Sequence, residues 1–241
     1  MRLSCVIPAY NEAPRIARVL ASVVGHPMID EVIVVDDGSA DATAEVVAGI
    51  AGVRLIRLPE NRGKTFAVAT GIEAAAHDLV MLLDSDLIGL APEHLAALAA
   101  PVREGRADVS ISLRRNAPGL WRAIGLDYIS GERVLRRDWL MTGEGLRALP
   151  RFGLEVHMNR LLIDRAARIA VVHWPEVESP FKHTKFGLWA GLRADARMMR
   201  DIFRTVPAHR AALQIVQMRR LRVAADAAPP GPVTGPAQAV R

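Results

Sequence analysis

A chain of 241 residues, 51% of them hydrophobic, can bury a sizeable core in one large domain or two small ones. Its net charge of +5 and sequence pI near 10.1 favour anionic partners: nucleotides, nucleic acid or an anionic membrane surface. A lone cysteine, Cys5, excludes an intrachain disulfide and fits a reducing compartment, and no apolar run approaches the roughly 18 residues of a spanning helix.

The start, "MRLSCVIPAYNE", meets proline and then charge too early for a signal peptide. "LSCVIPAY" reads as a buried strand closed by Pro8. "EAPRIARVLASVV" then carries Ile16, Val19, Leu20 and Val23 at helical spacing. "EVIVVDDGS" is a second buried strand, and in "SADATAEVVAGI" either Ser39 or Asp41 can cap a helix. "VRLIRLP" is a shorter third strand, "KTFAVATGIEAAA" a helix and "DLVMLLD" a fourth strand. Strands that are continuously apolar and alternate with helices predict an α/β fold, with a mainly parallel sheet covered on both faces. In such sheets ligands bind beyond the carboxyl ends of the strands. The polar clusters "PAYNE", "DDGSAD" and "DSD" all fall there, so they are expected to share one crevice.

Asp84 and Asp86, one residue apart at the end of the fourth strand, can turn both carboxylates toward one hard cation. A D-x-D alone is also an ordinary polar turn. Its context is more specific. In order, "VIPAYNEAPRI", "EVIVVDDGSADAT", "ENRGKTFAVATGIEAA" and "DLVMLLDSDL" resemble the family 2 glycosyltransferases of GT-A fold. "YISGERVLRRDWL" and "RFGLEVHMNRLLID" look like members with lipid-linked acceptors, the dolichyl- or polyprenyl-phosphate sugar synthases. The likeness weakens after about residue 165.

That resemblance implies a nucleotide sugar (UDP-, GDP- or dTDP-linked) as donor and Mg²⁺ or Mn²⁺ as cofactor. Pro8, Ala9 and Tyr10 would line its base and ribose, with Glu12 near the ribose and Asp37 accepting from the base. Asp86 would be the more direct metal ligand and a catalytic residue; Asp84 would serve metal or ribose, with Ser85 between them. Lys64 is one of only three lysines among 31 basic residues, and beside Gly63 at a helix start it suits an anion. An arginine near Arg114 would stand beside the diphosphate or the acceptor; Arg114 and Arg115 otherwise read as an exposed pair.

For the acceptor, Glu155 is expected either as general base for a hydroxyl or as a helix-start carboxylate favoured by the macrodipole, with Asn159 one turn on to orient it. A phosphate acceptor is already anionic and needs no base. Ser130, Gly131 and Arg133 match the "SGxR" of the lipid-acceptor group and would contact an acceptor phosphate; alternatively, this basic stretch is an amphipathic helix. Lys182, His183 and Lys185 are further acceptor contacts on a loop. Beyond them, a helix with Trp189, Phe203 and several arginines would lie either in a membrane interface or on the core.

The expected organisation is one domain over residues 1–220, with its nucleotide-sugar half at 1–115 and its acceptor side at 116–220. A flexible Pro/Gly/Ala tail follows at 221–241. Nucleic acid is not an expected partner, since aromatics are only 5% and no stacking, zinc or helix-turn-helix pattern appears. The expected activity is metal-dependent, inverting sugar transfer to a lipid-linked acceptor, in the cytoplasm or on the inner face of the membrane. Transfer to a soluble saccharide or phosphoglycerate hydroxyl is the alternative, and a nucleotide-sugar-binding module without turnover the non-enzymatic one.

Overall fold

The computed structural model describes residues 1–140, 146, 149, 153–179 and 207–226. Its first half follows the expected alternation: β1 (Leu3–Ala9), α1 (Ile16–Val23), β2 (Glu31–Asp36), α2 (Thr43–Ala48), β3 (Val53–Arg57), α3 (Lys64–Ala74) and β4 (Leu79–Leu82). The second half adds α4 (Pro92–Arg103), β5 (Val109–Arg114), α5 (Gly119–Ile124), β6 (Arg133–Arg136), α6 (Arg137–Leu140), α7 (Gly153–Asp164) and β7 (Ile169–Trp174), and then α8 (Ala208–Arg220) and β8 (Arg222–Val223). Among the described residues these strands form one sheet in the order β3-β2-β1-β4-β6-β5-β7-β8. β1 pairs in parallel with both β2 and β4, and β5 with β7, whereas β6 runs antiparallel to β4 and β5.

Both faces of the sheet are dry, which explains the unbroken apolar strands. Along β1, Leu3, Cys5 and Ile7 pack on one side with Ile16, Val19 and Leu20 of α1 and Leu95 and Leu98 of α4. Val6 points to the other side, where Val68 and Ile72 of α3 and Leu154, Met158 and Leu162 of α7 complete a second core. The same alternation holds in β4, with Leu79 and Met81 on the first face and Val80 and Leu82 on the second. Gly71 allows α3 to lie close on the sheet, since a Cβ there would come within 2.3 Å of Val6 Cγ1.

Three expectations are corrected. The stretch "RVLR" is a central strand, not part of an amphipathic helix: Val134 and Leu135 feed opposite cores, and Arg133 is fully buried. Its basic residues mask a pattern that only the sheet reveals. The segment assigned to a tail does not begin loose, because Arg222 and Val223 pair with Ile169 and Ala170 of β7. Neither Ser39 nor Asp41 is the residue immediately before α2, although Asp41 Oδ1 accepts the Thr43 N–H at 3.0 Å and so caps it from one position upstream. The helix carrying Trp189 and Phe203, and most of the tail, lie outside the described residues.

From β1 the chain winds one way through β2 and β3, and β4 continues on the other side of β1. The carboxyl ends of β1 and β4 therefore open on a topological switch point, where a crevice forms.

Candidate active site

The crevice has a volume of about 740 Å³, with Pro8 and Ala9 at the end of β1, Tyr10 and Glu12 just after it, Asp37 after β2 and Lys64 at the head of α3. Asp84, Ser85 and Asp86 follow β4, and Arg114 ends β5; Gly131 and Glu155 close the remaining side. The polar strand ends thus converge as expected, and every donor-side candidate named from the sequence lines this space.

The loops around it are tied to one another. Asn11, in the left-handed region at φ 54°, accepts the Ala40 N–H at 2.8 Å through Oδ1, and Thr43 Oγ1 accepts the Glu12 N–H at 2.8 Å. Gly38 has φ 67°, and a Cβ on it would meet the backbone of Glu60 at 2.5 Å, so only glycine lets these two loops touch. Asp37 accepts from the Arg62 and Gly63 N–H groups, each at 2.8 Å, one per carboxylate oxygen. It therefore fixes the turn that delivers Lys64, and has only its remaining lone pairs for a ligand. Burial raises its pKa, the two backbone hydrogen bonds opposing.

Lys64 Nζ donates to Asp84 Oδ1 at 2.6 Å and lies 3.9 Å from Glu155 Oε1. Burial of Asp84 disfavours its charge, but Lys64 and then Arg114 outweigh this, and its carboxyl sits below the ordinary range. Gly131 packs on the same ion pair: a Cβ would stand 2.9 Å from Lys64 Nζ and 3.0 Å from Asp84 Oδ1. Asp86 is different. The cations whose fields reach it, Arg15, Lys64 and Arg114, pair instead with Glu12, Asp84 and the Asp127–Glu132 carboxylates. Burial, and next the negative charges of Asp84 and Glu12, push the Asp86 carboxyl up to about 6. An ionised acid here lacks a counter-charge among the described residues.

That surplus of negative charge fits a divalent cation. The donors are hard oxygens, as Mg²⁺ and Mn²⁺ prefer. Among the described residues no three acids or histidines could enclose a metal on their own, so Asp86, helped by Asp84, would leave positions for water and for the oxygens of a bound diphosphate.

On the acceptor side the structure redistributes the candidates. Ser130 and Arg133 are fully buried and do not reach the crevice. Ser130 Oγ donates to Glu132 Oε2 at 2.8 Å, and Arg133 donates to Asn159 Oδ1 at 2.7 Å and to the Ser130 carbonyl at 2.8 Å. Asn159 is thus spent on Arg133 and on the Tyr128 carbonyl, at 2.8 Å, and does not orient Glu155. Arg114 and Arg115 part company: Arg114 faces the crevice, while Arg115 is exposed beside Glu178 at 3.5 Å. Lys182, His183 and Lys185 lie outside the described residues.

Two groups escaped sequence reasoning. Arg62 lies 4.2 Å over the Phe66 ring, and both line the crevice; their i, i+4 spacing was the available signal. Asp127 and Glu132, buried acids behind Arg114, gave none, since a carboxylate in a polar stretch reads as surface.

This chain matches the profile described as glycosyl transferase family 2 over residues 4–157, well over half its length. It belongs to that family. Among curated relatives, dodecaprenyl-phosphate galacturonate synthase of Rhizobium johnstonii is 34% identical over 48% of this chain and 37% of its own. Undecaprenyl-phosphate 4-deoxy-4-formamido-L-arabinose transferase of Aeromonas hydrophila is 35% identical over 49% of this chain and 39% of its own. The family 2 chain therefore spans little more than a third of the length of these relatives. Among solved structures, glucosyl-3-phosphoglycerate synthase of Mycobacterium tuberculosis, crystallised with Mn²⁺, UDP-glucose and phosphoglyceric acid, superposes with a TM-score of 0.66. It is 27% identical, and the match covers 85% of this chain and 78% of that one.

Proposed function

We infer that this family 2 chain transfers a sugar from a nucleotide sugar to a lipid-linked acceptor, polyprenyl phosphate or a membrane lipid, in a metal-dependent, inverting displacement. The observation that carries the reading is Asp86, an acid without a cationic partner among the described residues, standing beside the Lys64–Asp84 pair where β1 and β4 open.

The geometry supports the following roles. Pro8, Ala9 and Tyr10 offer one wall to base and ribose, with the Arg62–Phe66 stack opposite the turn that Asp37 holds. Lys64, fixed by Asp84 and Glu155, directs its charge at the diphosphate, and Arg114 does so from β5. A divalent ion held by Asp86 and Asp84 would supply Lewis-acid neutralisation of charge growing on the leaving phosphate. Glu155, buried and at the crevice wall, takes a proton from a hydroxyl acceptor; with a phosphate acceptor it serves to position Lys64.

Polyprenyl-phosphate transferases among the relatives support the lipid acceptor. α8 exposes Leu213 and Val216 beside basic residues of its last turn, a face suited to a membrane surface. No helix among the described residues is long and apolar enough to cross a membrane. A second reading, a soluble phosphoglycerate-type acceptor, is favoured by the glucosyl-3-phosphoglycerate synthase superposition. The test is transfer from UDP-, GDP- and dTDP-sugars to detergent-solubilised polyprenyl phosphate, to 3-phosphoglycerate and to free saccharides, each with Mn²⁺, Mg²⁺ or chelator. Metal-dependent product on the lipid alone is expected. Product on 3-phosphoglycerate alone would replace the acceptor, and no product with any donor would overturn the reading.

A further inference from the structure

Three buried polar atoms without a hydrogen-bond partner among the described residues meet at one guanidinium: Arg114 Nε, Asp127 Oδ2 and Glu132 Oε1. Glu132 is fully buried in front of β6, and its Oε2 accepts from Ser112 Oγ at 2.7 Å and from Ser130 Oγ at 2.8 Å. Those two hydroxyls fix the carboxylate and leave Oε1 turned to Arg114, 3.4 Å from Nη1. Asp127, also fully buried, is anchored by the Ile129 N–H at 3.2 Å through Oδ1, and its Oδ2 lies 4.0 Å from Arg114 Nη2. Arg114 also donates to Ser179 Oγ. Its other side faces the crevice, where the fields of Asp84 and Asp86 reach it.

A guanidinium beside an unpaired carboxylate tends to fork onto it in a bidentate pair. Asp86 lines the same crevice as Arg114 and has no cationic partner among the described residues, yet Arg114 pairs with Glu132 and Asp127. We propose that Glu132 and Asp127 are positioning residues that hold Arg114 against the back wall, off Asp86, so that Asp86 stays free for a divalent cation. Glu132 and Asp127, which do not line the crevice, compete for the arginine with Asp84 and Asp86, which do, and Glu132 also stands against the Asp84 carboxylate. Removing one rear charge lets the guanidinium advance and neutralise Asp86 in the metal's place. Ser130, far from touching a ligand, contributes by aiming Glu132. The proposal rests on the reading of the crevice as a metal-assisted donor site.

The test is calorimetric titration of the whole chain with Mn²⁺ in the presence of UDP, comparing the parent with Glu132→Gln, Arg114→Ala and the double variant. Glu132→Gln keeps the shape and the acceptor for the serines, and is expected to weaken Mn²⁺ binding by about tenfold or more. Adding Arg114→Ala is expected to restore affinity to within about twofold of Arg114→Ala alone, since the competing cation is gone. A merely structural loss would not be repaired by a second deletion. Unchanged affinity in Glu132→Gln, or no recovery in the double variant, overturns the proposal. Should Glu132→Gln fail to fold by circular dichroism, Asp127→Asn with and without Arg114→Ala makes the same comparison under the same criteria. A parent that binds no Mn²⁺ overturns the donor-site reading and this proposal with it, whereas a parent that binds while Glu132→Gln matches it overturns this proposal alone.

Discussion

At the scale of single residues, the crevice gives the two aspartates of the D-x-D different surroundings. Asp84 is neutralised by Lys64 at 2.6 Å, and Asp86 has no cationic partner among the described residues. Asp86→Ala is therefore expected to lower the transfer rate by about 10²–10³, the scale of a lost electrostatic contact at developing charge, with thermal stability kept. Gly131→Ala should act by geometry alone. Its Cβ displaces the tip of Lys64 from Asp84, an ion pair worth little to stability because the lysine is 46% exposed. Steady-state kinetics should reveal a loss of activity, with the melting temperature within about 4 °C of the parent. Asp127 sets a pH dependence. Burial, opposed by Arg114, pushes its carboxyl from 3.8 up to about 6. Between those values the folded chain retains a proton that the unfolded chain has released, so this group's contribution to stability falls as pH rises from about 4 to 6 and is level above. Thermal melts should show Asp127→Asn gaining on the parent between pH 4 and pH 7; a constant gap would contradict the shift.

Elements were legible where the signal is local. The four strands and three helices before Asp84 could be placed because buried parallel strands are continuous apolar runs and helices repeat at 3.6 residues. β6 could not be. Four residues with arginine at each end carry no strand signature, and the strand forms because β4 and β5 leave an antiparallel slot whose two faces accept Val134 and Leu135. The reverse holds for α3, whose glycine reads as a weakness in a helix but is the point of contact with β1. Gly71→Val should overpack that contact and cost about 1–3 kcal/mol in denaturant unfolding. An unchanged midpoint would mean that α3 stands further from the sheet than described.

Across the whole molecule, the convergence of the donor-side candidates on one crevice was readable because most of them lie at or just after a strand end, and strand ends of a parallel sheet meet by topology. The acceptor side was less readable. Ser130 and Arg133 look like ligand contacts in sequence and Asn159 like a partner for Glu155, but all three are buried, and burial obliges their polar atoms to pair with their neighbours. Glu155 and Lys64 are 91 positions apart in the chain, yet only 3.9 Å separates their charged atoms, a proximity that no spacing rule discloses.

The most direct measurement is calorimetry of UDP-, GDP- and dTDP-sugars binding to the parent chain and to Asp86→Ala, with Mn²⁺ and with chelator. Binding of at least one donor that needs Mn²⁺ and is lost in Asp86→Ala is the expected result. Equal binding in chelator, or an Asp86→Ala variant indistinguishable from the parent, would contradict a cation-assisted donor site at the end of β4.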